Sequence, residues 1–153
     1  MAVIELETLI AAPAERCFDV SLSVDLHLDS TARTGERIVA GTTSGVLGLG
    51  MSVTWEARHL GRRHRLEVRI TEFDRPRFFR DEQVKGPFRR MTHNHWFEAV
   101  EGGTRMRDRF EFATWLPPLD RLVLVPHLRR LLVERNTAIG SASEGEGWRL
   151  YLV

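Results

Sequence analysis

Four polar residues, Asp81, His93, His95 and Asp108, occupy strand-like positions in step with aromatic and aliphatic residues. Side chains along a β-strand alternate between the two faces of a sheet, so each of the four is expected to share a face with apolar neighbours. Imidazole and carboxylate groups on one inward face can transfer protons or orient a ligand hydroxyl. An inward face that mixes aromatic residues with a few polar groups is typical of a binding cavity rather than of a plain core.

The spacing of the last two strands favours one particular pair. A two-residue turn at Glu101-Gly102 would place His95 directly opposite Asp108, with their Cβ atoms about 5 Å apart. Such a pair is a candidate for acid–base catalysis, although no residue is firmly predicted to be catalytic. The alternative is a satisfied ion pair with a structural or ligand-orienting role. A different turn length would set His95 opposite Phe110 instead.

Two further features of this residue set admit more than one interpretation. His93 and His95 form a His-x-His pair on one face, as some zinc sites require, with Asp81 and Asp108 as further ligands. This spacing is not specific to metal sites, so the sequence predicts no metal and no cofactor. Arg135 falls on the apolar stripe of a C-terminal helix. It either extends to solvent at the helix edge or places a cation at one end of a pocket.

The elements that must position these residues follow one another in a simple order. Residues 2–11 form a strand, residues 13–20 and 24–30 form short helices, and six strands between residues 34 and 113 precede one long helix. The absence of β-α-β alternation favours an antiparallel sheet. The sequence therefore predicts an α+β fold, in which a seven-stranded curved antiparallel sheet surrounds a long C-terminal helix and two short helices follow strand 1.

A cavity is expected between that helix and the sheet if the facing side chains do not fill the space. Its predicted lining is Trp55, Ile70, Phe79, Asp81, His93, His95, Phe97, Asp108, Phe110, Leu128, Leu131, Leu132 and Arg135. The glycine-rich loop 44–50 carries three apolar side chains on a backbone that moves easily. We expect this loop, together with the residues before Pro126, to frame the entrance.

Composition excludes several classes of protein. The length of 153 residues, with 42% hydrophobic and 28% charged residues, predicts a single domain over 1–153 with a C-terminal tail at 145–153.

A net charge of +1 and glutamates interspersed among the arginines argue against nucleic-acid binding. No apolar run approaches the ~20 residues of a membrane span, so stable membrane insertion is not expected. The lack of a signal-peptide pattern predicts a cytoplasmic location. The single cysteine, Cys17, excludes an intramolecular disulfide.

Five segments carry a resemblance to a known family: IAAPAERCFDV, VTWEARHLG, FRDEQVKGPFRRMTHNHWFE, GTRMRDRFEF with the Pro-Pro after it, and LLVERN. They resemble the START-like helix-grip superfamily, also called SRPBCC, and especially its small bacterial polyketide cyclase/dehydratase-like and cell-division-inhibitor-like members. The resemblance implies a sheet that grips the C-terminal helix around an apolar cavity. It also implies a lipid, sterol, polyketide or other aromatic molecule as ligand, but supplies no fixed catalytic set.

Two functions remain open at this point. The first is a carrier or sensor of a hydrophobic small molecule, without catalysis. The second is a cyclase- or dehydratase-type enzyme that uses His95 and Asp108 as acid and base on a polyketide or aromatic substrate. A cavity with a histidine and an acid converging on one point favours the second function, whereas a purely apolar cavity favours the first. The resemblance does not decide between them, since the superfamily includes carriers, sensors and a few cyclases.

Overall fold

The computed structural model describes residues 1–152, apart from the side chain of Arg33. Seven antiparallel strands form one sheet in the order β1-β7-β6-β5-β4-β3-β2. The strands are β1 Ala2–Ile10, β2 Arg37–Gly41, β3 Ser52–His59, β4 Arg62–Asp74, β5 Phe78–Lys85, β6 Arg90–Val100 and β7 Gly103–Ala113. The helices are α1 Ala14–Ser21, α2 Val24–Ser30, α3 Pro117–Leu119, α4 Val125–Glu144 and α5 Trp148–Tyr151. This architecture confirms the predicted helix-grip fold.

Alternation along β7 separates a dry face from a wet one. Every second residue from Thr104 to Phe112 is buried, including Asp108. The arginines between them lie on the outer face, where Arg109 pairs with Glu5 and Glu111, and Arg105 Nε lies 3.2 Å from Glu7 Oε1. The outer face is thus a mixed-charge surface, as the interspersed glutamates indicate.

The two short helices close one end of the sheet. Ser23 caps α2, with its Oγ accepting a hydrogen bond from the Leu26 amide at 3.1 Å. Phe18 of α1 packs edge-on against three phenylalanines of the sheet, with ring centroids 5.3 to 5.5 Å apart. Aromatic rings in this edge-on arrangement pack α1 closely against the sheet.

The helical structure that leads into α4 begins before Pro126, a residue that would itself suit the start of a helix. Proline is tolerated in the first turn of a helix, and Pro126 lies at that point of α4. A π-helical turn over Asp120–Leu124 and the short α3 precede it. Asp120 is buried and accepts hydrogen bonds from the Thr114 amide, at 3.1 Å, and from the Thr114 hydroxyl. This contact fixes the chain between β7 and α4.

The two halves of α4 have different surroundings. In the C-terminal half Asn136, Ile139, Ala142 and Ser143 are buried. In the N-terminal half Leu128, Leu131 and Leu132 are half-buried, because the sheet diverges from the helix there. No helix within residues 1–152 combines the length and apolar character needed to cross a membrane.

Several strand boundaries differ from the sequence-based expectation. A 3₁₀ turn at Ala32–Thr34 and a left-handed Gly35 delay β2 until Arg37. The tight turn at Leu60-Gly61 pairs His59 with Arg62, so β4 begins directly after this turn. The tail contains one additional helical turn, α5.

Candidate functional site

A cavity of about 630 Å³ lies between α4 and the sheet, within the size range of small-molecule sites. Most of its surface is apolar, and polar side chains come from the sheet, from the short helices and from α4. Eleven of the thirteen predicted residues lie on this wall: Trp55, Ile70, Phe79, Asp81, His93, His95, Phe110, Leu128, Leu131, Leu132 and Arg135.

The expectation that Phe97 and Asp108 line the cavity is wrong. Phe97 points toward α1, and its ring centroid lies 5.3 Å from that of Phe18. It therefore belongs to the packed core under the short helices. Asp108 lies behind the two histidines, with only 1% of its side chain exposed. It contacts the residues of the wall without reaching the cavity itself.

The four predicted polar residues form one hydrogen-bonded cluster. The strand register confirms that His95 faces Asp108. The shortest hydrogen bonds are nevertheless diagonal: His93 Nε2 lies 2.8 Å from Asp108 Oδ1, and His95 Nε2 lies 2.7 Å from Asp81 Oδ2. Asn136 of α4 completes the cluster by donating from Nδ2 to Asp108 Oδ2 at 2.7 Å. The sheet and the long helix thus meet at the Asp108 carboxylate.

Burial and hydrogen bonding set the charge state of this cluster. Burial alone would raise the pKa of Asp108, but the hydrogen bond from His93 and the adjacent His95 imidazole outweigh it and hold that pKa well below the usual value. The same competition, with His95 as donor, lowers the pKa of Asp81. Burial, reinforced by the neighbouring His95, lowers the pKa of His93 to about 4. At neutral pH both carboxylates are therefore ionised and His93 is neutral.

His95 stands between two carboxylates, and this determines what it can do. A neutral imidazole has a single N–H, so it can donate to only one of these two carboxylates at a time. Nδ1 lies 3.1 Å from Asp108 Oδ1, but it has no hydrogen bond of acceptable angle to any of residues 1–152. Both ring nitrogens therefore face carboxylates, and proton exchange with a ligand requires the His95–Asp81 contact, the one on the cavity wall, to open.

Arg135 is an interior cation rather than a solvent-exposed one, since only 12% of its side chain is exposed. Its guanidinium donates to Asn136 Oδ1 at 3.0 Å and to the Ser21 carbonyl at 3.4 Å. Nη1 also lies 3.6 Å from Asp108 Oδ1. Arg135 thus offsets the negative charge of Asp108 from the cavity side. It forms no direct ion pair with Asp81 among the described residues.

Asp81, His93 and His95 could together hold a metal ion. One ligand atom each from Asp81, His93 and His95 lies within 4.8 Å of the other two, and two imidazoles with a carboxylate suit Zn²⁺ and similar ions. A bound cation would have to displace the His95–Asp81 hydrogen bond and would lie near the Arg135 charge. The absence of a metal therefore stays a prediction.

Sequence reasoning missed several polar residues near the cavity, among them Asn136 and a histidine pair. Asn136 sits on the apolar stripe of α4 between Leu132 and Ile139, a placement that signals a buried polar role. At the opposite end of the cavity His59 Nδ1 lies 3.1 Å from His127 Nε2, which ties the β3–β4 turn to α4. Burial lowers the pKa of both histidines.

The entrance to the cavity does not lie at loop 44–50, where the sequence analysis expected it. That loop is held to the start of α2, because the Val24 amide donates to the Gly45 carbonyl at 2.9 Å and the Leu47 amide donates to the Leu22 carbonyl at 3.0 Å. Leu47 is buried and closes this end of the cavity. The exposed wall residues lie at the other end, where Leu60, Trp115 and Leu116 surround the opening. The prediction that the segment before Pro126 borders the entrance agrees with this position.

Comparison of the sequence with family models gives no match, and no curated protein matches it. Solved structures do match over nearly the whole chain. The Zhui aromatase/cyclase from Streptomyces sp. R1128 has a TM-score of 0.77 and 18% identity, with 99% of each chain covered. The protein TTHA0849 from Thermus thermophilus has a TM-score of 0.69 and 19% identity, with 93% of this chain and 99% of that chain covered.

A plant protein extends this set. Ginseng major latex-like protein 151 from Panax ginseng has a TM-score of 0.69 and 12% identity, with 93% of this chain and 97% of that chain covered. Such identities establish a shared fold and leave the activity open. The strand order, the gripped C-terminal helix and these likenesses agree: this chain has a helix-grip fold.

Proposed function

We propose that the protein binds a hydrophobic small molecule, such as a lipid, a polyketide or another aromatic compound, as a carrier or sensor. The cavity of about 630 Å³ under α4 is the observation that carries this proposal. Burying apolar ligand surface there is favourable at roughly 25 cal/mol per Å². The His95–Asp81 pair and Arg135 add a small polar region that can orient one hydroxyl, carbonyl or acid group of the ligand.

Filling the cavity is expected to abolish binding without unfolding the protein. Ala57 lies on β3 and lines the cavity, so Ala57→Phe places a ring in the space that a ligand would occupy. We expect the affinity for the fluorescent probe N-phenyl-1-naphthylamine to fall at least about tenfold, while the free energy of unfolding changes by less than about 1 kcal/mol. Fluorescence titration and urea unfolding measure the two quantities.

Ala40 on the neighbouring strand β2 provides the matched control. It is exposed and does not line the cavity, so Ala40→Phe adds the same ring outside. Equal probe binding by both variants would contradict a cavity site. Native mass spectrometry of protein purified from its source then identifies the bound molecule by its mass.

A cyclase- or dehydratase-type enzyme is the second candidate, with His95 and Asp108 as its acid–base pair. The contact that favours it is the placement of His95 on the cavity wall with a carboxylate at each ring nitrogen. In this enzyme the His95–Asp81 hydrogen bond would open, Nδ1–H would face Asp108, and the freed Nε2 would take a proton from the substrate. Asp108 would stabilise the resulting imidazolium, and the same proton would then leave with a substrate hydroxyl as water. The Zhui protein, which shares the fold, is an aromatase/cyclase by name.

Substitution of His95 distinguishes the enzyme from the carrier. With a hydroxylated polyketide as substrate, we expect an enzyme to release water, which mass spectrometry detects, and His95→Gln to slow this release by about 100-fold or more. Binding of the naphthylamine probe should persist in that variant. Recovery of unaltered polyketide from the wild-type protein would leave the carrier as the function.

A further inference from the structure

Basic and acidic residues are strongly segregated in this molecule. Three segments, residues 58–65, 84–91 and 113–130, contain ten of the 22 lysines and arginines but only one of the 21 acids. That acid, Asp120, is buried against Thr114. The remaining chain has twelve basic and twenty acidic residues. The net charge of +1 therefore conceals a strongly positive part and a negative remainder.

The fold brings these three segments to the same end of the sheet. They are the β3–β4 turn, the β5–β6 turn and the connection from β7 into α4, and each contributes residues to the wall at the cavity opening. We call this surface the mouth face. All ten of its basic residues are exposed. Arg63 and Arg65 pair with Glu56 on the outer sheet face, whereas the other eight are without a recorded acidic partner among the described residues.

The mouth face also exposes large apolar side chains. Leu122 is 78% exposed, Trp115 74%, Leu116 63% and Leu60 56%. The guanidinium of Arg89 lies 5.3 Å from the Trp115 ring centroid, so cation and apolar groups share one surface. Exposed apolar groups clustered in this way mark an interaction site rather than an ordinary solvated surface.

We propose that the mouth face docks on an anionic lipid bilayer, with Trp115, Leu116 and Leu122 in the interfacial region and the surrounding arginines at the headgroups. Segments that lie in a membrane interface without crossing it are typically rich in tryptophan, leucine and arginine. Docking in this orientation places the cavity opening against the acyl chains. A hydrophobic molecule then passes between cavity and bilayer without entering water.

The observations favour a bilayer over other negatively charged partners. Nucleic acid would use the arginines but would leave the leucines exposed to water. An acidic protein would attract the arginines but would need its own apolar patch to cover Leu116 and Leu122, which are exposed on the connection between β7 and α4. A bilayer satisfies both features, since its headgroups attract the cations and its interface accepts the apolar side chains.

Vesicle sedimentation tests the proposal and needs no identified ligand, so it is independent of the proposed cavity function. We expect binding to vesicles containing about 30% phosphatidylglycerol and at least about tenfold weaker binding to pure phosphatidylcholine, with a steep loss as salt increases. Leu122→Glu should weaken binding to the anionic vesicles at least about tenfold, and Arg89→Gln combined with Arg121→Gln should weaken it by a similar factor.

Leu150 provides the matched control, since it is 79% exposed but lies on α5 outside the mouth face. Leu150→Glu should bind vesicles as the wild type does, and circular dichroism should show all variants folded. Brominated phospholipids should quench fluorescence in the wild type and much less in Trp115→Phe. Absence of vesicle binding, equal weakening by Leu122→Glu and Leu150→Glu, or heparin binding alone would overturn the proposal.

Discussion

Replacing Asp108 by alanine is expected to lower the free energy of unfolding by about 3 to 5 kcal/mol at neutral pH, the usual effect of removing one partner from a buried charged network. The carboxylate accepts hydrogen bonds from His93 and Asn136 and lies within 3.6 Å of Arg135. Without it, the Arg135 charge and two buried donors lose their partner at once. Urea unfolding at pH 7 measures the loss.

Two further variants separate charge from shape and burial from exposure. Asp108→Asn keeps the side-chain volume and one acceptor oxygen, so it should lower the free energy of unfolding less than Asp108→Ala does. Asp74 also pairs with an arginine, Arg77, but its side chain is 56% exposed, so Asp74→Ala should change stability by less than about 1 kcal/mol. A loss below about 1 kcal/mol for Asp108→Ala would show that the network contributes little to folding.

Stability is expected to fall by about 3 kcal/mol between pH 7 and pH 4 because of His93. Its pKa is about 4 in the folded protein and 6.5 when unperturbed. In this interval the unfolded chain takes up a proton that the folded protein does not. The contribution of neutral His93 to the free energy of unfolding is fully present above pH 6.5 and is lost as the pH falls toward 4. Below that, the lowered pKa values of Asp81 and Asp108 cause a further loss.

The variant His93→Gln isolates this contribution. Glutamine does not titrate, so the decrease between pH 6.5 and pH 4 should become smaller by about 3 kcal/mol in urea unfolding at a series of pH values. His59 and His127, whose pKa values burial also lowers, remain in both proteins and cancel in the comparison. Parallel stability curves for wild type and variant would contradict a buried neutral His93.

Bilayer docking and ligand binding in the cavity make different demands on the same opening. A carrier that loads at a bilayer needs both, whereas an enzyme acting on a dissolved substrate needs only the cavity. Vesicle binding with an empty cavity would separate the two, as would a filled cavity without vesicle binding. The histidine pair His59–His127 lies at this opening and joins the β3–β4 turn to α4.

The sequence by itself determined the fold class, the strand pairing and the composition of the inward face. Strict alternation along β7 specifies which side chains are buried, and the Glu101-Gly102 turn specifies that His95 faces Asp108. Both are local properties, because the side-chain period and the turn length act over a few residues. The apolar stripe of α4 likewise indicated where a cavity would lie.

Only the tertiary structure decided the partner of each polar group. His95 and Asp108 are opposite in register, yet His95 makes its shortest hydrogen bond to the diagonal Asp81 and leaves Asp108 to His93 and Asn136. These choices depend on sheet twist, side-chain rotamers and the approach of a helix distant in sequence. The mouth face has the same origin. Its charges lie in three separate segments and form one surface because antiparallel strands return their turns to the same end of the sheet.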